Sequence, residues 1–368
     1  MTGKKTIAII GASIGQKALY QKAREKGLRI IGFAWDRGIL EENDFDEFHE
    51  ISVTETDAIA GICRRIGVDG IVTNASEFLV PLASEVAEKL NLPCTPSPII
   101  RRIQDKRCVR ELTNNISGLS TPMYYEYPHA TFHSFPCVVK PVTGASKKGV
   151  SFCKDQSDLS SALEYADKDQ NRILVEEYIP GREFSVECLS CKGRHEVVQI
   201  TDKENSGPPH FVELGHHQPS TLKSSDSDRI KDCAVRLLDE VGFENGATHI
   251  EMKLDETSGR LFLIEINCRG GGDHISDTLV GLSTNCDYIG AMIDIALGSY
   301  TAHEYENTAY TGICYLSKQN ERLLRYFSSE QPSWIIHSER IDGELCESTS
   351  NYDRNGFFIY KSLTPVVI

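Results

Sequence analysis

The chain has 368 residues, 40% hydrophobic and 25% charged, enough for two or three domains with a sizeable core. A net charge of −14 excludes general nucleic-acid or anionic-membrane binding, although local lysines and arginines can still hold an anionic ligand. Twelve cysteines lie scattered through apolar, strand-like segments, which predicts reduced thiols and a cytoplasmic protein. The opening MTGKKTIAIIGAS enters a strand directly, and its apolar run is too short and Gly-broken to predict a signal peptide or a membrane span.

Residues 4–35 read as strand, Gly turn, amphipathic helix and strand. A helix near 56–66, a strand at 69–74 and a helix at 80–91 follow, a βαβ alternation that predicts a parallel sheet covered by helices. The first turn, GASIG, lacks the G-x-G-x-x-G pattern, so a dinucleotide site with Asp36 as its ribose acid is a weak reading. A substrate would still fit at the carboxyl ends of these strands, near Gly11–Ser13 and Asn74–Glu77. LPCTPSPII marks a boundary, with Ser97 expected to cap a helix that has Pro98 at its first position and runs through Leu112. Strands are then expected at FPCVVKPV, GVSFCK, ILVEEYI and EFSVECL, with a helix at 157–166. The polar 201–224 stretch is read as a connection to a helix at 226–241. A hairpin follows, then GGGDHISDTLVGLS as a loop, a helix at 285–297, and a β-rich tail with strands near TGICYL, SWIIH, GFFIYKS and PVVI. The single CxxC, Cys188 and Cys191, sits in an alternating strand pattern and is read as structural.

Three segments concentrate chemistry. HIEMKLDETSGRLFLIEINCRGGGD (249–273) reads as a hairpin whose polar rows, His249, Glu251, Lys253 and Glu265, Asn267, Arg269, share a face. A turn near Ser258 would set Glu251 across from Glu265. Opposed carboxylates repel, so a cation is expected there, and Glu251, Glu265 and Asn267 offer oxygen ligands suited to Mg²⁺. FPCVVKPVTGASKKGVSF delivers Lys140 on a strand into a loop with Gly144, Ser146, Lys147, Lys148 and Gly149. Glycines admit phosphate to the backbone and lysines neutralise it, although a plain hairpin has the same look. ILVEEYIPGREFSVE ends a strand in Glu176, Glu177, Tyr178 and Ile179 before a Pro-Gly turn. Such a linker would offer backbone and carboxylate partners to a purine, with Glu183 reaching a ribose, or else be an ordinary acidic turn.

Taken in order with DKRCVRELTNNISGLSTP, these segments resemble the ATP-grasp superfamily over roughly residues 100–300. The resemblance implies an α/β (α+β) architecture: a Rossmann-like βαβ domain (1–95), a small lid subdomain (96–182), a large subdomain with the metal site (183–305) and a β-rich extension (306–368). It implies that Lys106 and Lys140 contact ATP phosphates under the 144–149 loop, and that Glu176 with the backbone at Tyr178–Ile179 holds adenine while Glu183 holds ribose. Glu251, Glu265 and Asn267 would bind Mg²⁺ or Mn²⁺, two ions being expected, with Arg269 aimed at the reacting centre. HFVELGHHQPS and EINCRGGGDHISDTLV are similar to bacterial L-amino-acid ligases. By that likeness Glu213 and His216, brought together by a turn, contact the substrate ammonium and the transferring phosphate, with His216 a candidate base. Asp273 departs from the bulky residue that some relatives carry there. The expected activity is an ADP-forming carboxylate–amine ligase acting on small molecules, with no nucleic-acid or membrane partner and with a homodimer as one option. The alternatives are an ATP-grasp carboxylase or carbamoyl-phosphate-type enzyme that activates bicarbonate and, remotely, a nicotinamide-dependent reductase.

Overall fold

A computed structural model describes residues 3–128, 134–144, 148–166, 172–328, 330–341 and 343–368. The chain opens with β1 (Thr6–Ile10), α1 (Ile14–Glu25), β2 (Arg29–Ala34), β3 (Glu47–Glu50), α2 (Thr56–Ile66), β4 (Gly70–Val72) and α3 (Leu79–Glu88). The four strands form the parallel sheet that the alternation predicts, in the order β3-β2-β1-β4. The short edge strand β3, EFHE, carries too little apolar signal to be read from sequence. Asp36 accepts a hydrogen bond from the Gly38 amide, 2.8 Å, so it serves the turn after β2 rather than standing ready for a ribose.

The predicted helix from Pro98 through Leu112 is two helices, α4 (Ser97–Gln104) and α5 (Lys106–Thr113). Asp105 is extended, and its Oδ1 accepts from the Cys108 amide at 2.9 Å, capping α5. A strong local cap thus breaks a run that looks continuous in periodicity, and it places Lys106 at the first residue of a helix N-terminus. Ser97, the expected cap, falls inside α4, one residue after the observed cap, Pro96.

Next come β5 (Tyr124–Tyr127), β6 (Cys137–Pro141), β7 (Ser151–Cys153), α6 (Gln156–Ala166) and β8 (Ile173–Glu177), with β5-β8-β6-β7 forming a small antiparallel sheet. Then follow β9 (Arg182–Cys191), β10 (Arg194–Asn205), β11 (Glu213–Gln218), α7 (Ser224–Val241), β12 (Gly246–Asp255) and β13 (Arg260–Asn267). The stretch 201–224 is therefore not a plain connection, because β10 runs into it and β11 occupies its middle. The 270–284 segment is not a plain loop either, since it holds a π-helical turn (Ile275–Leu279) and α8 (Val280–Thr284). The chain closes with α9 (Tyr288–Ala296), β14 (Tyr310–Tyr315), a 3₁₀ segment (Lys318–Phe327), β15 (Ile335–Arg340) and β16 (Gly356–Ser362). PVVI is not a strand.

The large sheet has the order β13-β12-β9-β10-β11-β14-β16-β15, so the tail strands extend it directly beyond β11. They also carry a core of their own, Leu316, Leu323, Tyr326 and Phe358. One face of the sheet is apolar. Phe184, Val186, Ile250 and Met252 pack there on Ile103, Val109 and the α7 residues Ile230, Leu237 and Leu238. A second core joins Ile7, Leu19 and Ile293 to Leu189, which fixes the parallel sheet against the large one. No described helix is long and apolar enough to cross a membrane. All twelve cysteines are free thiols, Cys188 and Cys191 included.

Leu237 is fully buried in the α7 core. Leu237→Ala should cost about 2–5 kcal/mol of unfolding free energy in urea titration.

Candidate active site

The other face of the large sheet is polar across five strands, β13, β12, β9, β10 and β11. Glu251 pairs Glu265 in register and His249 pairs Asn267, as the hairpin reading requires. Across β12 and β9, His249 meets Glu187, Glu251 meets Ser185, and Lys253 meets Glu183. Across β9 and β10, Glu183 meets Lys203, and across β10 and β11, Lys203 meets His216. Directly opposed residues project to the same face, so these side chains form one acidic and basic surface.

Lys203 is its centre, and no sequence signal singled it out. Its side chain is only 3% exposed, with Nζ 2.7 Å from Glu251, 3.2 Å from Glu183 and 3.4 Å from Glu213. Burial alone would discharge the ammonium, but Glu213, Glu251 and Glu183 hold its pKa well above the ordinary lysine value. Burial would likewise neutralise Glu251, yet Lys203 and His249 keep its pKa well below the usual carboxylate range. His249 donates to Glu187 at 2.5 Å and to Glu251 at 3.2 Å. Burial opposes its charge, but Glu187 and Glu251 raise its pKa to about 9. Glu265 pairs with Lys106 at 2.9 Å, and the same ammonium donates to the Gly144 carbonyl at 3.0 Å. The repulsion of the opposed glutamates is therefore answered by two lysines that the hairpin does not supply.

Glu213 and His216 share one face of the sheet, and no turn brings them together. Both lie on β11, where residues three apart should face oppositely. A register shift at Glu204/Asn205 inserts a bulge opposite Leu214 and returns Glu213 to the face of His216. His216 Nε2 stands 3.6 Å from Asp273, while Nδ1 is buried without a hydrogen bond to any described residue. Asp273, at φ +50°, is gripped by Arg354 at 3.0 and 3.2 Å. Burial would raise its pKa, but His216 and Arg354 drive it far below the usual range. Arg354 also lies over the Tyr315 ring, 3.5 Å from its centroid. The tail thus contributes a cation to the site, placed 81 residues from Asp273 where sequence pattern cannot join them.

The small sheet roofs the face. Lys140 on β6 pairs with Glu176 on β8 at 2.5 Å, and Arg110 of α5 reaches the same carboxylate at 2.6 and 3.2 Å. Arg110, fully buried, also donates to the Ile264 carbonyl of β13 at 2.8 Å, tying roof to hairpin. Both Glu176 oxygens are thereby engaged, which makes it the residue that positions Lys140. Burial of Glu176 is overcome by Arg110 and Lys140, and its pKa falls to about 2; burial lowers that of Lys140 to about 8. Glu177 accepts from the Met123 amide at 3.0 Å. Gly181 (φ +106°) has its missing Cβ position 2.1 Å from the Leu254 carbonyl, so only glycine lets the linker lie against β12.

Between roof and floor, Lys106, Lys140, Gly144, Lys148, Glu176, Glu177, Tyr178, Ile179, Glu183, Glu251, Lys253 and Glu265 line one cleft. Its described walls enclose about 160 Å³, below the ~300–1,000 Å³ of small-molecule sites. Gly149 (φ +72°) packs its Cα side on Pro141. Ser146 and Lys147 lie outside the described residues. Arg269 is 3.0 Å from Glu77 of the N-terminal domain, and Asn74 accepts from the Gly270 amide at 3.1 Å, so the expected Asn74–Glu77 edge borders the site.

Residues 133–277, which hold the Gly loop between strands and the carboxylates opposed across the hairpin, match the ATP-grasp domain family. The whole chain superposes on the crystal structure of an L-amino acid ligase from Bacillus licheniformis with a TM-score of 0.81, at 23% identity, covering 99% of this chain and 95% of that one. Carnosine synthase 1 of Homo sapiens is 23% identical over 387 residues, 93% of this chain and 46% of that protein. An uncharacterized protein, y4rH, of Sinorhizobium fredii is 27% identical over 269 residues, 68% of this chain and 54% of that protein. The chain spans about half the length of these curated relatives.

Glu176→Gln should destabilise the fold at neutral pH. Because the folded pKa is depressed from 4.5 to about 2, the wild-type advantage should shrink as pH falls below about 4.5, read as the difference in denaturant unfolding free energy.

Proposed function

We propose that the protein is an ADP-forming carboxylate–amine ligase that builds an amide bond, with an amino acid or a close analogue among its substrates. The observation that carries this reading is the meeting of Lys106, Glu265 and Glu251 in the roofed cleft, with Lys203 paired to Glu251 beneath it.

ATP lies with its base along the Glu177–Ile179 backbone, its ribose toward Glu183 and its phosphates between Lys106 and Lys140. Glu251, Glu265 and the Asn267 amide oxygen fit a divalent cation. Two carboxylates and an amide are no all-protein cage, but Mg²⁺ takes few carboxylates and completes its shell with phosphate oxygens and water. Two Mg²⁺ or Mn²⁺ ions are expected, and when bound they neutralise phosphate charge. Lys106 and Lys203, which neutralise Glu265 and Glu251 in the free protein, would yield those carboxylates to the cation.

A substrate carboxylate oxygen attacks the γ-phosphorus. The new O–P bond forms as the bond to the β-phosphate oxygen breaks, and ADP departs with the electron pair. The amine then attacks the acyl carbon, a C–N bond forms, phosphate leaves with the C–O electrons, and the proton shed by the nitrogen passes to a base, for which His216 is the candidate. Phosphoryl transfer is mainly alignment and charge neutralisation. Arg269 supplies a fixed cation to the oxyanion of the second step. The roof excludes water from the acylphosphate. Glu213 and His216 lie where they would contact the substrate ammonium and the transferred phosphate.

Release of ADP should require both an acid and an amine, and Glu265→Ala should lower it by at least about a hundredfold. ATP cleavage stimulated by bicarbonate with no amide product would replace this reading with a carboxylase. Affinity for Mg–ADP should weaken as pH rises through about 8, because Lys140 loses the charge that holds phosphate; calorimetric titration across that range checks it.

A further inference from the structure

The β-rich tail sends one loop back to the polar sheet face. Residues 348–355 lie between β15 and β16, and the Asp353 carboxylate stiffens them by accepting from the amides of Thr349 at 2.9 Å and Ser350 at 3.2 Å. The Asn355 amide donates to the Leu316 carbonyl at 2.7 Å, which ties the loop to the end of β14. From this base Asn351 Oδ1 accepts from the Glu213 amide at 3.0 Å, and Arg354 Nη1 donates to the Glu213 carbonyl at 3.3 Å. The loop thus holds both backbone groups of Glu213, three residues before His216.

Arg354 also closes a row of three groups. Its two terminal nitrogens donate to the Asp273 carboxylate at 3.0 and 3.2 Å, and Asp273 Oδ2 stands 3.6 Å from His216 Nε2. Tyr315 braces all three. Its hydroxyl donates to the Asp273 carbonyl at 3.2 Å, its ring lies 3.5 Å from the guanidinium, and it meets the His216 ring edge-on, centroids 6.2 Å apart at 81°. Burial would discharge Arg354, but Asp273 keeps it charged. The other charged groups on this side of the sheet are Lys203, opposite His216 on β10, and Glu213 on its own strand. A gap of 3.6 Å is too long for a hydrogen bond, although such contacts tighten once substrates are bound. A carboxylate beside Nε2 favours the tautomer with its proton there and leaves Nδ1 as the lone pair. Nδ1 is buried and bonds to no described residue, so the fold does not consume it. A carboxylate acting alone would also favour the imidazolium, which has no lone pair to offer. The Arg354 fork offsets that charge while leaving Oδ2 beside the ring.

We propose that Arg354 and Asp273 are positioning residues for His216: the guanidinium fixes and offsets the Asp273 carboxylate, the carboxylate keeps the ring proton on Nε2, and Nδ1 stays free to take the proton that the amine sheds. In that transfer the amine N–H bond breaks with its electrons left on nitrogen, a bond to hydrogen forms at Nδ1, and the imidazolium so made faces Asp273. The assignment rests on the ligase reading, which gives His216 this task, and adds to it the residues that keep the base neutral and oriented. The tail then belongs to the site as well as to the fold.

The test is long-range nitrogen–proton magnetic resonance of the full chain with heavy nitrogen in its histidines, using His216→Gln to assign the signal. Neutral His216 in the wild type should carry its proton on Nε2. Asp273→Asn should move that proton to Nδ1, because Arg354 claims the one amide oxygen and the N–H₂ group is left to face the ring. Arg354→Gln should raise the ratio of charged to neutral His216 about tenfold at neutral pH, and Arg354→Lys should return it to within about twofold of the wild type. Far-ultraviolet circular dichroism checks folding, and the nearly isosteric Asp273→Asn decides alone where Arg354→Gln does not fold. A proton on Nδ1 in the wild type, or an unchanged tautomer in Asp273→Asn, overturns the assignment. Equal movement of the His195 and His249 signals in that variant would mark a general loss of structure and overturns it too. ADP release from some acid–amine pair would then leave the ligase reading standing, whereas the expected tautomers without ADP release from any pair would overturn that reading instead.

Discussion

Every functional element of the molecule is arranged around one buried ammonium. Lys203 lies within 3.4 Å of three carboxylates, Glu183, Glu213 and Glu251, on three different strands. A single positive charge cannot neutralise three negative ones, and removing carboxylates from water costs several kcal/mol each unless they are paired. The free protein relieves part of the remainder with His249 on Glu251 and Lys253 on Glu183. The sheet face is thus held together by internal cations that are weaker partners than a divalent ion bound to phosphate. That imbalance is what makes the face receptive to a metal–nucleotide complex.

A polar face of this kind needs rigid support. The opposite side of the same strands supplies it, because Phe184, Val186, Ile250 and Met252 alternate with Glu183, Ser185, Glu187, His249 and Glu251. One period-2 pattern therefore both anchors the core and aims the chemistry. Arg110 provides the complementary link. Its guanidinium joins Glu176 under the roof to the Ile264 carbonyl of the hairpin, so the phosphate lysine Lys140 is referenced to the carboxylates it works with.

How legible this was in sequence depended on distance along the chain. The hairpin register, Glu251 opposite Glu265, followed from local alternation and a turn. The parallel N-terminal sheet followed from βαβ rhythm, and the tail strands from their apolar runs. Lys203, Arg110 and Arg354 were not legible, because each acts on partners tens of residues away and a lone cation has no local signature. The strand nature of Glu213–Gln218 was hidden for a different reason: five polar or small residues fill a buried strand whose bulge scrambles the alternation. The break at Asp105 was obscured because its capping bond competes with a helical periodicity that continues on both sides.

The account turns on direct transfer of a phosphoryl group to a substrate carboxylate. The most direct measurement is turnover of an acid whose carboxylate carries heavy oxygen, followed by mass analysis of the phosphate released. One labelled oxygen in each phosphate is the predicted result, since the acyl oxygen that attacks phosphorus leaves with it. Unlabelled phosphate, with amide product present, would contradict the account.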